Sequence, residues 1–253
     1  MKKIILPLIA LFSLSLIQGK PSLHALTAEE IISRSEKAVR GNTQTALYEI
    51  TIKTKRWTRT LVVKSWENRI LKKSFAEILS PKKDSGNRFL LVDKNMQHYV
   101  PNLQRVIKIS PSMMLQPWMG SDFTNDDIVK ESSILEDYTH ELIGNGNMDG
   151  QDCYKIRLTP KPDAAVVWGM IVYYARTNDY LPVRQEFYNE HAVLKKTLSL
   201  GNFRLMHGRI IPTLYRMQAV KKDDGYTEME IKNASFNGHI PDNIFTLQNL
   251  EKK

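Results

Sequence analysis

The sequence predicts a mainly β protein with a few helices, built as one antiparallel meander. Three observations predict it. Apolar and polar residues alternate with a period of two through most of the chain beyond residue 45. Short clusters of Gly, Pro, Asn, Asp and Ser separate these runs. Helical periodicity is confined to two brief stretches. The 253 residues are 42% hydrophobic and 25% charged, which excludes wholesale disorder, and a single cysteine excludes a disulfide scaffold. No repeat, low-complexity tract or linker divides the chain. Residues 26–253 are therefore expected to form one domain, with a core that needs no metal or disulfide staple.

The N-terminus reads as an address. Met1-Lys2-Lys3 is a positive start, and the apolar run Ile4–Ile17 is broken only by Pro7, Ser13 and Ser15. It is too short for a comfortable membrane span and fits the core of a signal peptide over residues 1–25, with cleavage after Gly19 or Ala25. An uncleaved anchor is the alternative. No cysteine lies near the end of the apolar run, so no lipid anchor is expected, and the mature chain is expected in the periplasm. Lys2, Lys3 and Lys20 account for three of the formal charges, leaving +6 of the +9. The lone Cys153 lies beside Tyr154, Ile156 and Leu158 and reads as a buried, inert thiol.

Thr27 and Glu30 form a capping-box pattern, and Ile31, Ile32, Ser35, Ala38 and Val39 follow at helical spacing up to Gly41, so a helix is expected over about 28–40. Tyr48, Ile50 and Ile52 then alternate with polar partners. Leu61 and Val63 share a face in the next run. Ile70–Leu79 is a third run, and 88–93, 97–101 and 104–110 are shorter ones. Thr124 with Asp127 gives a second capping box, predicting a short helix over about 125–131. Tyr138–Ile143 is a strand expected to end in a hairpin turn over Gly144–Gly150. Further runs cover 154–158, 168–176, 181–188, 193–200, 209–220 and 226–236, about a dozen strands in all. A curved sheet of this size leaves either a closed, packed barrel or an open one with an apolar cavity.

The sequence offers little catalytic chemistry. It holds no G-x-x-x-x-G-K-[ST], G-x-G-x-x-G or G-x-S-x-G. His98, His140, His191, His207 and His239 are scattered, so no metal site is expected. Asn145, Asn147, Asp149 and Gly150 match half a calcium loop, but Ile156 stands where the bidentate Glu belongs, so a turn is expected. Gly120-Ser121-Asp122 reads as a turn. Glu29/Glu30 and Asp126/Asp127 sit where helices start, as the helix dipole favours. No cofactor and no enzymatic activity are expected. Lys53, Lys55, Arg56 and Arg59 surround Trp57, a pattern that can bind single strands, but the export signal argues against nucleic acid.

The informative feature is apolar. Met113, Met114, Leu115, Trp118, Met119 and Phe123 cluster in a segment that fits neither period, and Pro111, Pro117 and Gly120 prevent a long helix through it. Three of the nine methionines after Met1 fall here. Methionine adapts to irregular partners and is over-used at apolar binding surfaces. The alternative reading of the same segment is a plug of core residues.

Three stretches carry a family resemblance. They are Phe89–Pro101 with Arg105 and Ile107; Trp118-Met-Gly-Ser-Asp-Phe-Thr-Asn-Asp-Asp127; and Asp149-Gly150 with Tyr154–Pro160, Tyr180–Arg184 and Pro241–Phe245. In this order they resemble the uncharacterised branch of the LolA-like outer-membrane lipoprotein-sorting proteins. The resemblance implies an unclosed antiparallel β-barrel with helices and a loop covering the concave face, and an apolar cavity for acyl chains. It implies a monomeric periplasmic carrier of lipid or lipoprotein acyl chains, with a membrane-protein donor or acceptor and transient contact with an anionic membrane surface. On this reading Phe89, Leu91, Tyr99, Met113, Met114, Trp118, Met119 and Phe123 line the cavity or its lid, with Trp66 and Trp168 beside them. The rival reading is an envelope sensor or adaptor that binds a membrane-protein partner through the same fold.

Overall fold

The structure, a computed structural model, describes residues 26–130, 134–164, 166–220 and 225–252. The signal segment expected over 1–25 lies outside them. Helix α1 spans Ala28–Val39. Its capping box is formed: Glu30 N–H donates to Thr27 Oγ1 at 3.2 Å, and Thr27 N–H donates to Glu30 Oε2 at 2.8 Å. Arg40 is already extended, and Gly41 turns the chain where a Cβ would lie 2.7 Å from Asn237 Oδ1. Only glycine fits that approach.

Seven strands and a second helix follow. They are β1 Thr43–Lys53, β2 Thr58–Asn68, β3 Lys73–Ser80, β4 Arg88–Val92, β5 Asn95–Val100, β6 Arg105–Lys108, helix α2 Asn125–Lys130 and β7 Tyr138–Met148. Six more strands come next: β8 Gln151–Pro160, β9 Met170–Arg176, β10 Pro182–Tyr188, β11 Leu194–Met206, β12 Arg209–Ala219 and β13 Tyr226–Phe236, then helix α3 Leu247–Glu251. All thirteen join one sheet in the order β6-β5-β4-β3-β2-β1-β13-β12-β11-β10-β9-β8-β7. Two antiparallel meanders are thus welded by the β1–β13 ladder. The sheet does not close, and β6 and β7 remain as its edges. Bulges at Leu47/Tyr48, Val62/Val63 and Leu142/Gly144 bend it.

Two local readings are corrected. The residues 144–148 are not a turn: β7 continues through them, paired with β8, and only Asp149-Gly150 turns. Both residues have positive φ, 51° and 80°, the two-residue geometry that matches strand twist. The run Ile70–Leu79 is not one strand either. Lys72 has φ 50° and its N–H bonds back to Arg69 O at 3.2 Å, so Ile70 and Leu71 sit in a turn and β3 starts at Lys73.

The sheet's two faces are covered differently. On the inner face α1 packs Ile31 and Ile32 against Ile156, Leu158, Ile171, Tyr173 and Leu200. Ser35 adds a buried hydroxyl contact to Tyr173 Oη at 2.7 Å. On the outer face the C-terminal segment lays Ile240, Phe245 and Leu250 on Phe75, Leu90 and Tyr99. Cys153 is fully buried on that face among Val172, Tyr174 and Val183, and burial pushes its thiol pKa up. Ile32 is a direct test of how firmly α1 is seated. Ile32→Ala is expected to lower stability by about 2–5 kcal/mol, read as a lower urea midpoint at an unchanged slope.

Candidate functional site

The connection from β6 to β7 must cross the inner face to reach the opposite edge of the sheet. It carries the Met/Trp cluster marked in the sequence and lies over that face as a plug-like segment. Its two short turns fold back on each other through backbone bonds: Trp118 N–H to Phe123 O at 2.7 Å, Asn125 N–H to Gln116 O at 3.1 Å and Asp126 N–H to Met114 O at 2.8 Å. Met119 and Gly120 both take positive φ, 50° and 74°, which turns the chain sharply after Trp118 and favours glycine at the second position.

The plug straddles both meanders. Trp118, Met114, Met119 and Ile128 pack against Ile50, Ile52, Leu61, Val63, Ile78, Phe89 and Met96. Phe123 packs on the other side, with the cluster around α1. Trp118 lies 5.4 Å from Phe89, centroid to centroid, in a tilted pair, and Phe89 stacks on His98 at 4.2 Å.

Three polar ties hold the plug to the sheet. Asp122 N–H donates to Thr227 Oγ1 at 2.9 Å, and that hydroxyl donates back to Asp122 Oδ2 at 2.8 Å. Arg59 donates to Met119 O and pairs with Asp84 at 3.4 Å. The third tie is a buried ion pair between Asp127 of α2 and Lys196 of β11, their side chains 8% and 5% exposed. The Asp127 carboxylate also accepts from Thr124 N at 2.7 Å, Thr124 Oγ1 at 2.8 Å and Trp168 Nε1 at 3.3 Å. Lys196 Nζ lies 4.7 Å from the Trp168 ring centroid and 5.2 Å from that of Phe187. Burial pulls the Lys196 ammonium pKa down, and Asp127 opposes that shift.

Between plug, α1 and sheet lies a cavity of about 880 Å³. Its apolar wall includes Tyr48, Ile50, Val63, Leu91, Trp118, Phe123, Leu135, Leu200, Tyr215, Met229 and Ile231. The hollow has a cause in the sequence. Ser65 and Ala76 line it as cross-strand neighbours on β2 and β3, so two small side chains side by side leave space where large ones elsewhere fill it. The mouth is polar. It carries Glu36, Arg40, Arg69, Lys72, Lys73 and Lys94, with Glu36 bridging Arg40 and Arg69 at 3.6 Å each.

The structure sorts the residues singled out from sequence. Leu91, Trp118 and Phe123 reach the cavity wall. Phe89, Met114 and Met119 pack behind Trp118, and Met113 is half-buried, its carbonyl accepting from Asn125 Nδ2 at 3.0 Å. Trp168 stands beside Lys196 and Phe187. Tyr99 is placed elsewhere: it pairs with Arg88 across β4 and β5, the register opposite to Phe89, and packs under the C-terminal segment on the outer face. Trp66 packs with that cluster too, against Phe75 at 5.9 Å, though it also borders the cavity. The residues missed, such as Tyr215, Met229 and Ile231, carried a period-two signal, but face assignment needs the register.

These contacts can be tested in solution. Lys196→Met leaves Asp127 buried without its cation and is expected to cost about 3–5 kcal/mol. Adding Asp127→Asn to it is expected to restore a large part of that loss, measured as a coupling in denaturant unfolding. His98 is held neutral by burial, its pKa lowered to about 4 from 6.5. Its Nε2–H donates to Asn87 Oδ1 at 2.8 Å, since the Asn87 amide nitrogen donates to Asp84 O. The unfolded chain therefore binds a proton at higher pH than the folded one. The associated stability is full above pH 6.5 and is lost as pH falls toward about 4. Unfolding midpoints across that window are expected to fall less steeply in His98→Gln.

Comparison with known proteins places the fold. A DUF1329 family protein from Desulfovibrio piger is 21% identical with a TM-score of 0.82, covering 88% of this chain and 97% of its own. A putative outer membrane lipoprotein-sorting protein domain from Vibrio parahaemolyticus is 22% identical with a TM-score of 0.79, covering 89% and 98%. A LolA superfamily protein from Nitrosomonas europaea is 20% identical with a TM-score of 0.76, covering 89% and 100%. No curated protein matches the chain. A family model whose description reads "Uncharacterized protein" matches residues 71–252. The match covers most of the sequence, so the chain belongs to that uncharacterised family, and its fold is the one seen in the LolA superfamily and lipoprotein-sorting structures.

Proposed function

We propose that this protein is a periplasmic carrier that takes lipid or lipoprotein acyl chains into its inner cavity and moves them between membranes without covalent chemistry. The observation that carries the reading is the cavity itself: about 880 Å³, apolar on its floor and walls, polar at its mouth. That size falls in the range of small-molecule sites, and the polarity gradient suits an amphiphile with its tail inside. Each methylene buried contributes about 0.8 kcal/mol. The similarity to a lipoprotein-sorting domain and to a LolA superfamily protein supports the same reading, since this fold is known for carrying and binding rather than for catalysis.

The wall residues Leu91, Trp118 and Phe123 would touch the acyl chain. Phe89, Met114 and Met119 would support the Trp118 ring from behind. The plug is the part that moves in this proposal, since many of its backbone bonds are internal and its described ties to the sheet are few and local.

Native mass spectrometry of protein purified from the envelope without detergent tests the reading. Bound lipid or acylated protein is expected. Ala76→Phe places a ring in the hollow beside Ser65, and is expected to reduce acyl-chain binding at least about tenfold, the loss of roughly two methylenes. Protein that is empty, together with an Ala76→Phe variant that binds a fatty acid as well as wild type, would refute the carrier.

A further inference from the structure

The cavity mouth lies at one end of the sheet, and several chain segments meet there. Arg69 N–H of the β2–β3 turn donates to Asn42 O at 2.9 Å, and Asp93 N–H of the β4–β5 turn donates to Lys72 O at 2.8 Å. Arg69 is also tied to α1 through Glu36. The β11–β12 hairpin is fixed to the same end of α1, where Arg209 Nη1 donates to Lys37 O at 2.8 Å. The β2–β3 turn and the β11–β12 hairpin thus share the end of the molecule on which the cavity opens.

Both tips hold apolar side chains out in water. Leu205 is 73% exposed and Ile70 is 71% exposed, the two highest values among the large hydrophobic residues described. Leu71 and Ile210, next to Ile70 and across the hairpin from Leu205, are exposed as well. A single exposed leucine means nothing. Here the two extreme cases lie far apart in sequence, on separate turns, and converge on one end. Cations accompany them. Lys72 and Lys94 are engaged by Glu136 and Asp137, but Lys37, Lys73 and Arg204 make no ion pair among the described residues. Apolar tips with basic flanks match a membrane interface, where the side chains enter the acyl boundary and cations meet phosphates.

We propose that this end docks on an anionic lipid bilayer through Ile70 and Leu205, with the neighbouring Lys and Arg side chains on lipid phosphates, so that the cavity mouth faces the membrane. The proposal deepens the carrier reading and rests on it only for the purpose of the docking. It requires no rearrangement of the sheet, because both tips already project.

Sedimentation with phosphatidylcholine vesicles, with and without phosphatidylglycerol, tests it. Wild type is expected to bind the anionic vesicles and to bind the neutral ones at least about tenfold more weakly. Ile70→Ser, and separately Leu205→Ser with Ile210→Ser, are each expected to weaken anionic-vesicle binding about tenfold. Leu103→Ser, an exposed position in the β5–β6 turn at the far end, is expected to leave it unchanged. Equal binding by wild type and both tip variants would overturn the proposal, as would tips buried by self-association in sedimentation equilibrium. Uptake of a soluble fluorescent fatty acid separates the two readings. A wild type that takes up the fatty acid but ignores both kinds of vesicle overturns the docking alone. A wild type that binds vesicles and takes up no fatty acid overturns the cavity reading and supports the docking.

Discussion

A thirteen-stranded sheet that stops short of closing has an inner apolar face it cannot bury against itself. Everything else about the molecule answers that constraint. Helix α1 covers the β7–β12 side with Ile31 and Ile32. The β6–β7 connection has to travel from one edge of the sheet to the other, and the shortest useful path runs over the face left open. Its apolar residues then serve as cover, which is why a segment with neither helical nor strand periodicity is so rich in Met, Trp and Phe. The cover is incomplete because Ser65 and Ala76 lie side by side on β2 and β3. Where two small side chains meet, the sheet recedes and the cavity opens.

The ties between plug and sheet have energies that depend on where they are. Inside, the Asp127–Lys196 pair is screened little, and loss of either partner strands a buried charge. Four donors converge on the Asp127 carboxylate, so its desolvation is well offset while the plug is seated. If the plug moves as proposed, the pair separates into water, where the attraction at contact distance is only about 1 kcal/mol. Apolar contact of Trp118 with Phe89 and its neighbours also holds the plug down, and on the carrier reading an acyl chain in the cavity would replace that contact with its own.

How much of this the sequence showed depends on whether the signal was local. Thr27 and Glu30, Thr124 and Asp127 announced the starts of α1 and α2 because capping is settled within four residues, while the short α3 went unannounced. The alternation Tyr48, Ile50, Ile52 announced a strand and one face. Tyr99 shows the limit: alternation says that it opposes His98, but only the β4–β5 register says that Phe89 goes with His98 and Arg88 with Tyr99. Residues 144–148 read as a turn from their Gly and Asn content, and pairing with β8 overrode that propensity. Ile70 and Leu71 read as strand because they are apolar, yet they are turn residues in water. Lys196 sits in a run with Lys195 that looks like a solvated face. Its burial is decided by a carboxylate on α2, a long-range contact with no local trace.

The charge distribution is legible in the same way. Many of the basic residues are engaged in ion pairs such as Arg157–Glu141 and Arg176–Asp179, which leave the net excess unchanged. What matters is which cations make no ion pair among the described residues and where they lie. Lys37 and Lys73 border the mouth of the cavity, while its apolar wall carries Ile50, Val63, Leu200 and Met229. An amphiphile in that space lowers its free energy only with its tail inward and its polar group outward, because burying an unpaired charge among these side chains costs several kcal/mol or more. On the proposed carrier reading the same gradient would set the direction in which the ligand enters. A tail would pass the basic rim first, and a rim placed beside projecting apolar turns would meet its lipid at the surface of a bilayer, where the tail can leave one apolar phase for another with little exposure to water between.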